Sequence, residues 1–425
     1  MTDDRRDEVA ALRDEGRDRA VELLRACATA DGFLATTTDT DNYRRVWGRD
    51  SCILSVAAAA HGDDDLLEAA VRTFDTLLKH QGPHGEIPSN VDPETERVSY
   101  GGTTGRVDAN LWFVIACGAY WHRTGDDEFL ERRLSALERV RHLLGAWEFN
   151  TRGLLYIPLT GDWADEYLHH GYVLYDNLLY LQAHRCFAAF HHRLHDTPDR
   201  DLEDRSHHHC QVLRANYWFS DGTDEPPEHV YHPVLYSKGQ EAADRCAGRY
   251  WTPFFAPTGY GYRFDAFANV LVSLLDVADD DQRASVDGFI DEITSEELEL
   301  LPAFHPVIRK VDEDWEDLQM SFSYSFKNAP HEYHNGGLWP LITGFYAADL
   351  ARRGDPDRAL RFVTALHRAN RLEMDGEPWS FPEFVHGREL DARGVRCQGW
   401  SAAAAVIAER ALDGEPVFGV GHRTL

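Results

Sequence analysis

Three junctions along this chain share one grammar: HGDDDLL at Gly62, TGDDEFL at Gly125 and RGDPDRAL at Gly354. In each, a glycine suited to the left-handed position that closes a helix is followed by an aspartate suited to capping the next one. Pro356 adds a favoured first helical residue to the third junction. The segments they join carry the spacing of amphipathic helices: Leu67, Ala70, Val71, Phe74, Leu77 and Leu78 recur at intervals of three and four and so share one face. Similar patterns occur near 8–29, 107–123, 127–146, 171–195, 264–276, 285–300, 338–352, 356–370 and 399–413, whereas alternating strand patterns are scarce. Repeated tight helix–turn–helix units build either an open superhelix or a closed ring of hairpins, and the turns alone do not separate the two.

The segments between the tight turns are longer and rich in Gly, Pro, Trp and Asp: 39–51, 81–107, 151–167, 302–337 and 372–398. Such loops are where a rigid scaffold carries binding and catalytic groups. No long flexible linker divides the chain, so residues 1–425 read as one domain. The polar, histidine-rich stretch 197–260 is weakly periodic and reads as an insertion or lid within it.

Charge excludes several classes of partner. With 72 acidic against 43 basic residues the formal net charge is −29, and only four of the cations are lysines. That balance repels nucleic acid and anionic lipid. Because the acids are spread along the chain, they imply a solvated acidic shell suited to high salt, in which self-repulsion is screened, as in a halophilic host. There is no apolar run of the roughly 18 residues a membrane span needs. The charged start MTDDRRDEVAALRDEG lacks the core of a secretory signal, so the expected location is the cytoplasm. Seven scattered cysteines without a CxxC pair fit reduced core thiols there. The adjacent histidines of HHHC (His207 to Cys210) do not converge on one ion as i,i+4 ligands do, and neither a metal nor a cofactor is expected. Oligomeric state is left open, with a monomer as the default.

The chemistry-bearing segments are VWGRDS (Val46 to Ser51), GEIPSN (Gly85 to Asn90), VDANLWF (Val107 to Phe113), TGDWADEY (Thr160 to Tyr167), FKNAPHEYHNGGLWP (Phe326 to Pro340), WSFPEFVHG (Trp379 to Gly387) and RCQGWS (Arg396 to Ser401). Tryptophan beside carboxylates, Arg, Asn and His is the composition of a sugar site: flat rings cover the apolar face of a pyranose and polar groups fork onto its hydroxyls. A small-molecule or oligosaccharide substrate is the expected partner. No phosphate loop, nucleophile elbow or HExxH is present.

In order and spacing these segments resemble two families of (α/α)6-barrel glycosidases. WGRD, VDATLWF, WMDA, HNGxxWP and EIFDG of the amylo-1,6-glucosidase domain of glycogen debranching enzymes are similar to Trp47 to Asp50, Val107 to Phe113, Trp163 to Glu166, His334 to Pro340 and Glu383 to Gly387. The KNxPxxYHNGG and QTWS of neutral/alkaline invertases are similar to Lys327 to Gly337 and Gln398 to Ser401. The resemblance spans roughly residues 40–410. It implies an all-α (α/α)6 barrel of the six-hairpin glycosidase type and a hydrolase, inverting and exo-acting on an α-glucosidic bond as in debranching, or sucrose-cleaving as in the invertases.

Inverting hydrolysis takes a carboxylic acid on the leaving-group side and a carboxylate that activates water opposite, about 6.5–9.5 Å apart. The resemblance assigns the acid to Asp165, with Trp163 and Tyr167 placed to desolvate it and raise its pKa, and the base to Glu383. Asp162 and Glu166 are rivals for the acid, since three acids lie within TGDWADEY. For substrate binding the resemblance singles out Arg49 and Asp50 as a fork on sugar hydroxyls, against the alternative of a structural ion pair. Asp108 is either a helix cap or a site residue. Lys327, His334 and Asn335 are polar groups in a glycine-flanked turn, and Glu332 is a further carboxylate there. Trp47, Trp163, Trp339 and Trp400 read equally as core or as stacking platforms. Two other classes are a sugar epimerase using His334, His169 or His386 as base and a non-catalytic carbohydrate-binding protein.

Overall fold

Two kinds of helix alternate along the chain, and burial separates them. In a computed structural model describing residues 3–220, 226–295, 297–321 and 323–421, α1 (Asp3–Cys27) is followed by α2 (Asp50–His61), α3 (Asp64–Lys79) by α4 (Asp108–Thr124), and α5 (Asp127–Trp147) by α6 (Leu174–His195). Then come α7 (Arg200–Tyr217), α8 (Pro233–Glu241), α9 (Ala266–Leu274), α10 (Asp280–Ile293), α11 (Trp315–Met320), α12 (Pro340–Arg352), α13 (Pro356–Asn370) and α14 (Gly399–Leu412). Helices α2, α4, α6, α9, α12 and α14 are buried along most of their length. Each packs on the next in that order, and α14 closes on α2. The other long helices are amphipathic and line the outside of this ring. The chain is an (α/α)6 barrel, a closed ring rather than a solenoid.

A helix buried on all sides must let neighbours approach, which explains the alanine runs at 57–60 and 402–405. A Cβ added at Gly344 of α12 would lie 2.6 Å from that of Ala404. The junction grammar is realised in full: Gly62, Gly125 and Gly354 have φ of 81°, 65° and 84°. Asp63, Asp126 and Asp355 accept from the backbone N–H of Leu66, Phe129 and Arg358. All three tight turns lie at the end of the barrel opposite the long loops.

Two expectations need correction. Residues 200–217 are not part of an insertion but the outer helix of the fourth hairpin, packed on α6. The periodicity is masked because a histidine, His209, occupies a buried position beside Tyr180 and His184; HHHC is therefore helical rather than loop. The helix expected near 285–300 begins earlier, at a capping box between Asp279 and Gln282, and ends at Ile293. All seven cysteines are free thiols, five of them buried. Among the described residues no helix is long and apolar enough to cross a membrane.

Candidate active site

Loops entering α2, α4, α6, α12 and α14 meet over the N-terminal end of the inner ring. Strand pairs of two residues each pin them: Val46–Trp47 pairs with Asn90–Val91, which pairs with Val98–Ser99, and Phe384–Val385 pairs with Ala392–Arg393. Between them lies a cavity of about 590 Å³. Both proposed catalytic carboxylates, Asp165 and Glu383, line it, together with Glu166, Arg49, Asp50, Trp47, Trp400 and Lys327.

Glu383 follows Pro382 and enters the short strand Phe384–Val385. Its Oε1 accepts from the Tyr43 hydroxyl at 2.9 Å and its Oε2 from the Val395 N–H at 3.1 Å. The backbone wraps it closely: Gly394 has φ +75°, and a Cβ there would stand 2.4 Å from Oε2. Burial raises the Glu383 pKa to about 7, against the pull of Lys327, Tyr43 and the Val395 N–H. Glu166 is also raised to about 7, by burial and by the neighbouring Asp165 and Glu383, although its Oε1 is 3.7 Å from the Lys327 ammonium.

Asp165 behaves in the opposite way to the expectation from its aromatic neighbours. Burial pushes its pKa up, but the Arg106 and Arg49 guanidiniums outweigh burial and hold it below the ordinary carboxylate value. Arg106 Nη2 donates to Asp165 Oδ2 at 2.8 Å. Charge, not desolvation by Trp163 and Tyr167, sets its protonation in the free protein.

Arg49 is buried, with Nε 3.3 Å from Asp50 Oδ2 and Nη1 3.2 Å from Asp108 Oδ2, and its guanidinium lies 5.4 Å from the Trp400 ring. Asp50 Oδ1 accepts from Gln398 Nε2 at 3.1 Å, and Oδ2 has no hydrogen-bond partner among the described residues. Arg49, Asp50 and Trp400 thus form a floor that pairs a planar cation with an acceptor and an indole, as a pyranose needs.

Several expected binding residues stand outside the cavity. Asp108 is wholly buried behind Arg49 and holds it; burial raises its pKa to about 6. Trp163 and Trp339 are core, packed against each other at 5.3 Å between ring centroids. His334 stacks on Trp339 at 5.4 Å and is held neutral by burial, with a pKa near 3. Asn335 is consumed by backbone bonds to Ile308 and Asn328, which fold the loop carrying Lys327. Tryptophan and histidine in such a motif fill volume as readily as they bind, so sequence did not separate the two uses.

Asp162 is buried and pairs with His169 Nδ1 at 3.1 Å, away from the cavity. Glu332 lines no part of it, nor do His334, His169 or His386, the candidate epimerase bases. The site residues that sequence reading missed are Tyr43 and Arg106. Each flanks a quoted motif, Tyr43 four residues before Trp47 and Arg106 just before Val107, and a polar or basic residue abutting a motif was the available signal. The one cluster of described residues with metal-ligand spacing, His386, Glu389 and Asp391, lies on a hairpin whose two acids are exposed, and Arg393 pairs with both of them.

Comparison with known proteins bears on the fold and the family resemblance. The family model described as "Alkaline and neutral invertase" matches residues 243–415, less than half the chain, including Lys327 and Glu383 but not the Asp165 loop. A probable alkaline/neutral invertase D of Arabidopsis thaliana is 23% identical over 89% of this chain and 77% of its own length. A cytosolic invertase 1 of Oryza sativa subsp. japonica is 24% identical over 73% of this chain and 58% of its own length, so the chain spans under two thirds of that relative. Among solved structures, a GH63 mannosylglycerate hydrolase from Thermus thermophilus superposes with a TM-score of 0.67 at 15% identity, covering 92% of this chain and 99% of that one. A bacterial glucoamylase complexed with acarbose gives 0.61 at 16% identity, over 95% of this chain and 56% of that one. These likenesses bear out the resemblance to (α/α)6-barrel glycosidases and its invertase features.

Proposed function

We propose that this protein removes a terminal α-glucosyl unit from a small glycoside with inversion, and that sucrose is the favoured substrate over an α-1,6-linked glucan. The chain is a glycosidase; the bond it cleaves and the groups that cleave it are the proposal. The observation that carries it is the confluence of Asp165 and Glu383 on one polar cavity floored by Arg49, Asp50 and Trp400. A site of about 590 Å³ suits one or two sugar rings, which supports exo-action on a small substrate. The invertase relatives support sucrose over the debranching alternative.

In this reading the terminal ring lies on Trp400, its hydroxyls bridging Arg49 and Asp50. Glu383, oriented by Tyr43 and the Val395 N–H, draws a proton from water as that water attacks the anomeric carbon. Asp165 takes up a proton from solvent as Arg106 leaves the carboxyl on substrate entry, and gives that proton to the departing oxygen. A second reading assigns the acid to Glu166, because its pKa near 7 already keeps it partly protonated. The relative named a cytosolic invertase supports cytoplasmic residence, while others are named chloroplastic or mitochondrial, and the acidic shell supports a high-salt milieu.

The test is sugar release from sucrose, isomaltose, panose and a limit dextrin in molar salt, with wild type beside Glu383→Gln, Asp165→Asn and Glu166→Gln. Release of α-glucosidic sugar from sucrose by wild type, lost in Glu383→Gln and Asp165→Asn, is the expected result. Loss in Glu166→Gln with a working Asp165→Asn would move the acid to Glu166, and release from isomaltose but not sucrose would overturn the choice of bond.

A further inference from the structure

A second cavity, of about 550 Å³, lies on the other side of the loop that carries Asp165, and it shares no lining residue with the first. The partition is Tyr167 stacked on Phe304, with ring centroids 4.3 Å apart and planes 10° from parallel. Asp165 and Glu166 face one chamber, and Tyr167, Leu168 and His169 face the other.

Three features of this chamber are unlike an ordinary packing gap. Its walls are aromatic: Tyr250, Phe254, Tyr260 and Tyr262 supply flat apolar faces. Its inner end holds a buried polar atom with no hydrogen-bond partner among the described residues, Tyr167 Oη, on a side chain 2% exposed. His169 beside it is held within the protein: its Nδ1 bonds Asp162 and its Nε2 faces the buried Asp265 carboxylate at 3.9 Å. Its outer end gathers Arg245, Arg249 and Arg263. Of these, Arg263 pairs with Asp314 and Arg249 with Glu292, at 2.5 Å in the second case, while Arg245 makes no ion pair among the described residues. Glu313 and Asp314 are the acids of the lining.

In a chain with a net charge of −29, long-range attraction does not bring anions to a surface, so an arginine cluster at a cavity mouth is a local feature. Each part of the chamber selects against a simpler ligand. A neutral sugar stacks on the aromatic walls but leaves Arg245 without a counter-charge. Inorganic phosphate satisfies the arginines but leaves Tyr167 Oη bare, at the cost that burial without a partner carries. A ligand with a pyranose ring and a terminal dianion uses all three: stacking on the walls, a hydroxyl on Tyr167, phosphate on the arginines.

We propose that this cavity is a binding site for a sugar phosphate of hexose size, separate from the site of hydrolysis. Isothermal titration of the full chain tests it, with glucose 6-phosphate, glucose and inorganic phosphate as probes and salt held at the level that keeps the fold intact by circular dichroism. Glucose 6-phosphate is expected to bind wild type and Glu383→Gln alike. It should bind the double variant Arg245→Ala/Arg249→Ala about tenfold or more weakly, corresponding to loss of charge-assisted bonds. Both arginines are exposed, so the double variant keeps its fold and its hydrolytic activity. Tyr167→Phe separates the two ends of the site: it should weaken glucose 6-phosphate several-fold and leave any inorganic phosphate binding unchanged. Absence of binding, equal affinity for inorganic phosphate, indifference to the double arginine variant, or loss of binding in Arg49→Lys, which would place the ligand in the hydrolytic cavity, each overturns the proposal.

Discussion

Replacing Tyr43 with phenylalanine isolates what the hydroxyl does to the base. Tyr43 Oη donates to Glu383 Oε1 at 2.9 Å, and the tyrosine's own pKa is pushed far up by burial and by Glu383, so it stays a neutral donor at every working pH. A hydrogen bond to a charged group contributes about 1.5–3 kcal/mol, and one pH unit corresponds to about 1.4 kcal/mol. Losing this bond while the Val395 N–H and Lys327 remain should raise the Glu383 pKa from about 7 by about one to two units. The base works ionised, so the Glu383 pKa sets one limb in the pH dependence of kcat/KM, and in Tyr43→Phe that limb moves to higher pH. At pH 7 the variant should run roughly five- to fifty-fold slower, yet converge on the wild-type rate at alkaline pH, where Glu383 is ionised in both. The assay is the pH dependence of kcat/KM on whichever glycoside the wild type cleaves, which reports the free enzyme. A limb that stays in place, or moves to lower pH, refutes the reasoning. So does a plateau that falls equally at every pH, because it would mean that Tyr43 holds the substrate rather than the base.

Asp165→Asn should lower turnover on the order of 10³-fold with an unchanged melting temperature, whereas Asp162→Asn, which breaks the buried pair with His169, should lower the melting temperature and spare turnover; thermal melts and kcat measured together decide. Arg49→Lys should raise KM through loss of the planar fork between Asp50 and Asp108, checked by steady-state kinetics. Gly394→Ala should both destabilise the fold and depress turnover, because the left-handed φ and the 2.4 Å approach to Glu383 leave no room for a Cβ; a calorimetric scan and activity matching wild type would contradict it. Transfer from molar to about 0.1 M salt should lower the melting temperature, since screening of the net charge of −29 is then withdrawn; an unchanged melt in low salt would remove the case for a salt-adapted surface.

The parts of this protein legible in sequence are those set by local chemistry. A glycine that must be left-handed and an aspartate that must cap are determined within a few residues, and the pairs Gly62 with Asp63, Gly125 with Asp126 and Gly354 with Asp355 occur where the chain said they would. Glu383 in a loop after proline, and Arg49 and Asp50 before an apolar helix, are of the same kind. What could not be read depends on which side of a residue the rest of the fold falls. Trp47 and Trp163 look alike in sequence, yet one lines the cavity and the other is core. Helix α7 was hidden because the residue filling its buried face is a histidine. The partner of Asp165 lies 59 residues earlier, and no local pattern announces an ion pair across two hairpins.

That ion pair also bears on how a site with three carboxylates can run one reaction. In the free protein Glu383 and Glu166 titrate near 7 while Asp165 lies below the ordinary carboxylate range. The order is inverted relative to the proposed roles: the acid is ionised and the base is partly protonated. The inversion comes from burial, which raises the two glutamates, and from the Arg106 and Arg49 guanidiniums, which hold Asp165 down; Arg106 has a second acceptor within reach in the Thr160 carbonyl. A substrate whose leaving-group oxygen approaches Asp165 competes for the same carboxylate oxygen. Once Arg106 is held by Thr160 alone, one of the two guanidiniums that offset burial is withdrawn, and the Asp165 pKa rises. At Glu383 the Tyr43 hydroxyl and the Val395 N–H are donors that favour the ionised form. On the proposed roles, substrate entry and protonation of Asp165 are therefore linked.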